Sequence, residues 1–442
     1  MEITTSYKQR RTDLLTYLKG SIGILKAAPH MTRSNDTEFQ FRQNSNFKYF
    51  TGFSEQESIL VITPNNNIKF HLFVRPKNEL QELWTGKRMG VDKAKSILDI
   101  DEVYSIDDFA EKIIDLLPDH DAVYCDLFGD NSFMQDMLGY IKQTQTKYRK
   151  SSLISPYKLG DIKHFTKNLR LTKDTNEIQF MKRAAQVSSK AHIAAMAKAA
   201  PNVNESEVAA LIEYICKKEG APSLAYESIV AGGDNANTLH YIANNQKLND
   251  GDLLLIDAGA EFNLYASDVT RTFPINGTFS GIQKDVYLLV LDAQKSCINM
   301  SLPGKSLIEI HNEARKILTQ GLIDLKVLSG SLDENITESQ YKKYYPHGTS
   351  HWLGMDVHDE CHYHTEKRKD IQLAKGMVFT IEPGLYFPKS DKSIRSELQG
   401  IGIRIEDDIL MTAIGHENLT SQIPKEIKEV EDVCRRPLQE LQ

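Results

Sequence analysis

The chain has 442 residues, too many for one ordinary core, so two domains, or one large domain with a smaller addition, are expected. Hydrophobic residues make up 40% and charged residues 26%, the balance of a soluble globular protein. Lys+Arg 53 against Asp+Glu 60 leaves a formal charge of −7, and no Lys/Arg block is long enough for a nucleic-acid footprint. In chain order, the N-terminus MEITTSYKQRRTDLL lacks the basic-then-apolar order of a secretory signal. Its short KQRR at Lys8–Arg11 reads as a solvated helix face. The first ~170 residues read as a compact α/β unit with a mixed sheet. There the apolar runs Ser58–Pro64 and Lys69–Pro76 alternate with helical stretches such as Asp107–Leu117.

A helix is predicted from near Thr172, with Asp174 and Glu177 spaced as a capping box and Ile178, Met181, Ala184 and Ala185 at helical spacing. It ends by Pro201. A second helix follows, with Asn204 as N-cap, Glu207 three residues on, a Val208/Leu211/Ile212/Ile215 stripe, and Gly220 past its end. This places a domain boundary at about 160–172, giving domains 1–171 and 172–442.

The second half holds an internal similarity. LNDGDLLLIDAG (Leu248–Gly259) and LAKGMVFTIEPG (Leu373–Gly384) match at Leu248/Leu373, Gly251/Gly376, Ile256/Ile381, Asp257/Glu382 and Gly259/Gly384, all 125 positions apart. Each copy is a turn, a buried strand, an acid and a glycine. Two unrelated strands give some such matches by chance; a duplicated unit would bring the two strand-end carboxylates to one centre.

Asp257 ends the apolar run LLLID, where a carboxylate is costly unless paired or bound to metal. Asp268 follows in YASDVTRTF, with Gly259 and Asn263 between them to reverse the chain, so a hairpin is expected to set the carboxylates side by side. Adjacent anions repel unless a cation lies between them. YYPHGTSHWLGMDVHDE adds His347, His351 and His358, in loop or strand because Pro346 and Gly348 argue against helix. Glu382 ends VFTIE, and Glu406 sits in GIGIRIEDDIL on the same strand face as Arg404. Taken singly, each acid also fits a strand-end or turn residue. Together, four carboxylates and one imidazole form an oxygen-rich set suited to Mn²⁺, Co²⁺ or Fe²⁺ more than to structural zinc, with Zn²⁺ a further possibility. Four carboxylates exceed the needs of one divalent ion. Two ions ~3.5–4 Å apart would balance the charge, hold a hydroxide between them and polarise a carbonyl.

The order Asp257, Asp268, His351, Glu382, Glu406 resembles the ligand set of the pita-bread metallopeptidases, which include methionine aminopeptidase, prolidase and aminopeptidase P. PHGTSHWLGMDVHD, TIEPGLY and GIGIRIEDD look like the versions in bacterial Xaa-Pro aminopeptidase (aminopeptidase P). Thr32–Phe53 and Glu82–Gly90 resemble that group's N-terminal domain, so the likeness spans nearly the whole chain. It implies a pita-bread catalytic domain of duplicated αβ units behind a smaller mixed α/β domain. It also implies that Asp257 and Asp268 chelate one ion, that Asp268 and Glu406 bridge to a second, and that His351 and Glu382 complete that one. Glu382 would serve as general base, His240 would stand near the substrate's amino end, and His358 would stabilise the tetrahedral intermediate. His347, Arg404 and Tyr386 match pocket residues, with Arg404 holding Tyr386, and Trp84 matches one that closes a pocket, that of a neighbouring subunit included. All five ligand positions carry the expected residue types. The implied activity is hydrolysis of the N-terminal Xaa-Pro bond of peptides by a homodimer or homotetramer.

Prolidase, which takes only dipeptides, and a catalytically inert peptide-binding module are the rival readings. The intact ligand set also weighs against a creatinase-like hydrolase, and the large N-terminal domain against methionine aminopeptidase. Cys125, Cys216, Cys297, Cys361 and Cys434 are scattered and never form a CxxC pair, which argues against a disulfide framework and for a reducing compartment. With no apolar run near the ~20 residues of a membrane span, a cytoplasmic location is expected.

Overall fold

The structure is a computed structural model, and it describes residues 2–436. It is a mixed α/β protein of two compact units that divide between Leu169 and Arg170.

In the first unit the two apolar runs form the strands Ile59–Ile62 and Phe70–Val74, paired antiparallel. They lie inside a six-stranded sheet in the order Glu102–Ser105, Phe70–Val74, Ile59–Ile62, Ile22–Lys26, Ala122–Cys125, Lys158–Asp161. The pairings with Glu102–Ser105, with Ala122–Cys125 and with Lys158–Asp161 are parallel, so the sheet is mixed. Both central strands are buried along their length, which is why they read as continuous apolar runs. Ile22, Ile24, Val61 and Phe73 pack with Phe109 and Ile113 of the helix Phe109–Leu116 and Met137 of the helix Asn131–Lys147. The KQRR segment departs from expectation. Lys8 and Gln9 are exposed, but Arg10 and Arg11 are buried. Arg11 donates to the carbonyls of Phe50 (2.8 Å) and Asp99 (2.6 Å), and Arg10 stacks 4.2 Å from the Tyr49 ring. Backbone carbonyls and an aromatic face there replace the water that a basic run ordinarily seeks.

The second unit begins with two helices, Thr175–Lys198 and Glu205–Lys218, each opened by a complete capping box, Asp174 with Glu177 and Asn204 with Glu207. A three-stranded antiparallel sheet follows: Ile229–Gly232, Leu253–Asp257, Thr270–Pro274. The pattern then recurs. Helices Gly281–Met300 and Leu307–Asp324 pack on each other and lead to strands Val378–Ile381, Asp407–Met411 and His416–Asn418, with Gly384–Phe387 paired to Ile401–Arg404. The glycines that close the two similar segments permit close approach. A Cβ at Gly259 would lie 1.7 Å from the Ser267 carbonyl oxygen, and one at Gly384 would lie 2.9 Å from that of Ile403.

The expected hairpin is formed. Asn263 and Leu264, both with positive φ, turn the chain between Ala260–Phe262 and Tyr265–Ala266. The same antiparallel register continues through Ser267 N–H to Ala260 O and Ala258 N–H to Val269 O (3.0 Å each) to Asp257 opposite Thr270, with Asp268 two residues before that partner. The two halves join along the same line. Glu406 N–H donates to Thr270 O (3.0 Å) and Thr272 Oγ1 donates to Arg404 O (3.0 Å). Arg271, fully buried, uses its guanidinium on the carbonyls of Thr270, Glu406, Ile423 and Pro424 and on the Asp407 carboxylate (2.7 Å). Every donor of the fork is satisfied, which fixes the strand that carries Glu406.

Candidate metal centre

Asp257, Asp268, His351, Glu382 and Glu406 line one cavity of about 270 Å³, together with His240, His347, His358 and Arg404. Three of the carboxylates reach it at or just after a strand end. Asp257 closes the strand Leu253–Asp257, Glu382 follows Val378–Ile381, and Glu406 follows Ile401–Arg404. His351 lies in an extended segment bonded to the strand that precedes Glu382, through Thr380 N–H to His351 O (3.0 Å) and Glu382 N–H to Thr349 O (2.8 Å). That agrees with the helix-breaking residues Pro346 and Gly348. Donor atoms of Asp268, His351 and Glu406 lie within 4.8 Å of one another. His351 Nε2 is 3.3 Å from Asp268 Oδ2 and 3.5 Å from Glu382 Oε1.

Residues that carried no signal in the sequence hold these donors. Tyr226 Oη lies 2.6 Å from Asp257 Oδ1 and 2.5 Å from Asp268 Oδ1, so its one hydroxyl proton stands between the two acids. Thr270 Oγ1 donates to Glu406 Oε2 (2.7 Å) and accepts from Arg404 Nε (2.9 Å). Asp408 accepts from Asp268 N–H (3.1 Å) and from Ser267 Oγ (2.7 Å). Thr380 Oγ1 lies 3.5 Å from Glu382 Oε1 and accepts from His351 N–H (3.2 Å). Thr270 and Thr380 are on strands whose neighbours are apolar, where a threonine looks like any β-former. Tyr226 sits in a loop without a motif.

Arg404 Nη2 donates to Asp257 Oδ2 (2.6 Å) and Nη1 to Tyr386 Oη (2.9 Å). Tyr386 Oη is 2.8 Å from His347 Nε2, and His347 Nδ1 is 2.7 Å from Gly348 O. A proton on Nδ1 bonds the carbonyl and leaves Nε2 to accept from Tyr386, so the chain of donors runs from Arg404 to the His347 ring. The His358 ring stands edge-on to His351, centroids 4.4 Å apart. Trp84 is not in this cavity. It lies in the first unit, on the helix Glu79–Thr85, 86% exposed beside exposed Leu80 and Leu83.

Burial sets the electrostatics. It pushes Glu406 well above the usual carboxylate range, aided by Asp268 and Glu382, and pushes Glu382 up to about 7 against the pull of His351 and Arg404. It raises Asp257 as well, in spite of Arg404. Burial alone would lower His351, but Asp268 and Glu382 outweigh it and push the imidazole up to about 9. Burial and then Arg404 lower His347 to about 3, so that ring is neutral. Four carboxylates, Asp268 and Glu406 buried and Asp257 and Glu382 half-buried, thus face two cationic side chains, a donor set whose missing positive charge divalent ions would supply. Asp268, His351 and Glu406 fit a divalent cation.

The sequence matches the profile described as "Metallopeptidase family M24" over residues 179–413, and the one described as "Aminopeptidase P, N-terminal domain" over residues 7–124. It is 38% identical over 433 residues to the Xaa-Pro aminopeptidase of Haemophilus influenzae, covering 97% of this chain and 96% of that one. Among solved structures, aminopeptidase PepP of Pseudomonas aeruginosa superposes with a TM-score of 0.95 at 39% identity, covering 98% of each chain. Proline aminopeptidase P II of Yersinia pestis gives 0.92 at 38% identity, covering 98% of this chain and 99% of that one. The fold is therefore a pita-bread catalytic domain preceded by the smaller N-terminal domain of aminopeptidase P. With these matches the chain belongs to metallopeptidase family M24, in its aminopeptidase P group.

Proposed function

We propose that the protein is a metal-dependent aminopeptidase that hydrolyses the N-terminal Xaa-Pro bond of peptides. The observation that carries this reading is the convergence of Asp257, Asp268, His351, Glu382 and Glu406 on one cavity that His240, His347 and His358 also line. Asp257 and Asp268 would hold one ion, and Asp268, Glu406, His351 and Glu382 would hold a second. Mn²⁺ is the ion that best suits one nitrogen among carboxylate oxygens, ahead of Co²⁺, Fe²⁺ or Zn²⁺. When bound, the ions would supply Lewis acidity, lowering the pKa of a nearby water and polarising the scissile carbonyl.

The chain's own groups do the rest. Glu382 accepts the proton of the attacking water and returns it to the proline nitrogen as the C–N bond breaks. His358 hydrogen-bonds the carbonyl oxygen as it gains charge, an oxyanion-type role. His240 attends the substrate's amino end. Neutral His347, Tyr386 and Arg404 form the wall for the residue after the bond. A tertiary Xaa-Pro amide has no N–H for a peptidase to grip, so recognition falls on such a shaped wall. The N-terminal domain, residues 1–171, controls assembly and substrate access ahead of the catalytic domain, 172–442, and Trp84 closes the pocket of a neighbouring subunit in a homodimer or homotetramer. Five cysteines, all free, support a reducing compartment, the cytoplasm. Among the described residues no helix is long and apolar enough to cross a membrane.

A panel of Xaa-Pro, Xaa-Pro-Yaa-Zaa and Xaa-Ala-Yaa-Zaa peptides, with Mn²⁺ supplied, tests the proposal. Turnover of the proline tetrapeptide and not the alanine one supports it. Hydrolysis of the dipeptide alone would make the protein a prolidase.

A further inference from the structure

The His358 ring has no hydrogen-bond partner among the described residues, and its side chain is exposed to the cavity. Its position therefore depends on the loop that carries it. That loop is tied from beneath by a buried ionic cluster. The Asp359 carboxylate, 1% exposed, accepts from Arg170 Nη2, from Lys173 Nζ (3.0 Å) and from Cys361 Sγ (3.3 Å). Arg170 Nη2 also donates to Asp356 Oδ2 (2.6 Å), on the other side of His358. Backbone bonds close the loop, from Asp359 N–H to Trp352 O (2.9 Å) and from Cys361 N–H to Asp359 O (2.7 Å). A Cβ at Gly354 would lie 2.4 Å from Asp359 Oδ2, so glycine there leaves room for the carboxylate to fold inward.

We propose that Asp359, clamped by Arg170 and Lys173, is a positioning residue that sets the His358 ring over the metal pocket. The chemistry of the arrangement favours this over a purely structural ion pair. Two cations converge on one carboxylate adjacent in sequence to the histidine, and one of them reaches both ends of the loop. Replacing such a cluster by apolar residues is often neutral for stability, so stability alone does not account for its form. Groups that orient metal ligands typically change activity 10–100-fold when removed, and the lower end of that range is the scale expected for a group that orients His358 beside the metal.

The inference rests on the role proposed for His358, and a double-mutant cycle separates the two. Lys173→Met keeps the aliphatic volume and leaves Asp359 paired to Arg170. Steady-state kinetics on an Xaa-Pro-Yaa-Zaa peptide are measured for Lys173→Met, His358→Ala and the double variant, with metal content and unfolding followed alongside. The expected result is a kcat lower by about tenfold for Lys173→Met, with KM and metal content kept, and less than about a twofold further effect once His358 is absent. An equal loss from Lys173→Met in both backgrounds would show that the cluster acts elsewhere and would overturn the proposal. A His358→Ala variant with unchanged kcat would overturn the role of His358 and this proposal with it. If Lys173→Met does not fold, Asp359→Asn, which keeps the shape of the carboxyl, enters the same cycle under the same criteria.

Discussion

Thr270→Val isolates how much a hydroxyl behind the proposed metal ligand Glu406 contributes. The change is nearly isosteric and removes two buried hydrogen bonds, one donated to Glu406 Oε2 at 2.7 Å and one accepted from Arg404 Nε at 2.9 Å. Hydrogen bonds to charged groups contribute ~1.5–3 kcal/mol each. The bond to Glu406 is formed by a carboxylate that would also bind metal, so its loss loosens that ligand, while Arg404 keeps its bonds to Asp257 and Tyr386. A loss of about 2 kcal/mol in ligand orientation corresponds to roughly a 30-fold weaker ion, within the 10–100-fold range for groups behind metal ligands. The assay is titration of the chelated protein with Mn²⁺ followed by calorimetry, with circular dichroism to verify the fold. A Thr270→Val protein that binds Mn²⁺ within about twofold of the parent would refute the reasoning.

Other outcomes follow from the same structure. Gly259→Ala places a methyl 1.7 Å from a backbone carbonyl, so it should cost several kcal/mol and abolish soluble yield, whereas Gly281→Ala, with open space at the first turn of its helix, should leave the urea midpoint unchanged or slightly raised. Asp359 is held down to about 2: burial would raise it, but Arg170 and Lys173 outweigh burial. A depressed carboxyl contributes stability above its unfolded value near 3.8 and loses it as pH falls towards 2. Urea midpoints at pH 5 and pH 2.5 should therefore differ by a contribution of about 2 kcal/mol that Asp359→Asn removes; a pH dependence identical to the parent's would contradict it. Trp84→Ala, at a site 86% exposed, should leave the unfolding midpoint within experimental error and raise KM for tetrapeptides. Unchanged KM would remove Trp84 from the substrate path.

Three of the expected donor positions stood out in the sequence because each breaks a local rule. Asp257, Glu382 and Glu406 end or interrupt runs of buried apolar strand, where burial penalises a carboxylate strongly enough that function is the economical explanation. The capping boxes at Asp174 and Asn204 were legible because they are set within four residues. What could not be read was long-range. The turn at Asn263 and Leu264 sets Asp257 opposite Thr270, but the flanking strand Ser223–Leu224, nearly forty residues earlier, gave no local sign of pairing there. Arg10 and Arg11 look solvated locally, yet carbonyls from residues about 40 and 90 positions away enclose them. Tyr226 is the clearest gap, since a loop tyrosine gains its meaning only when the fold sets two aspartates against its hydroxyl.

The central claim, that this cavity is a two-ion hydrolytic site, is tested most directly by reloading chelated protein with Mn²⁺ while measuring hydrolysis of an Xaa-Pro-Yaa-Zaa peptide. The account predicts no turnover without metal, activity that rises and saturates at two equivalents per chain, and no recovery in Glu406→Ala. Full hydrolysis by the chelated protein, or saturation at a single equivalent, would contradict it.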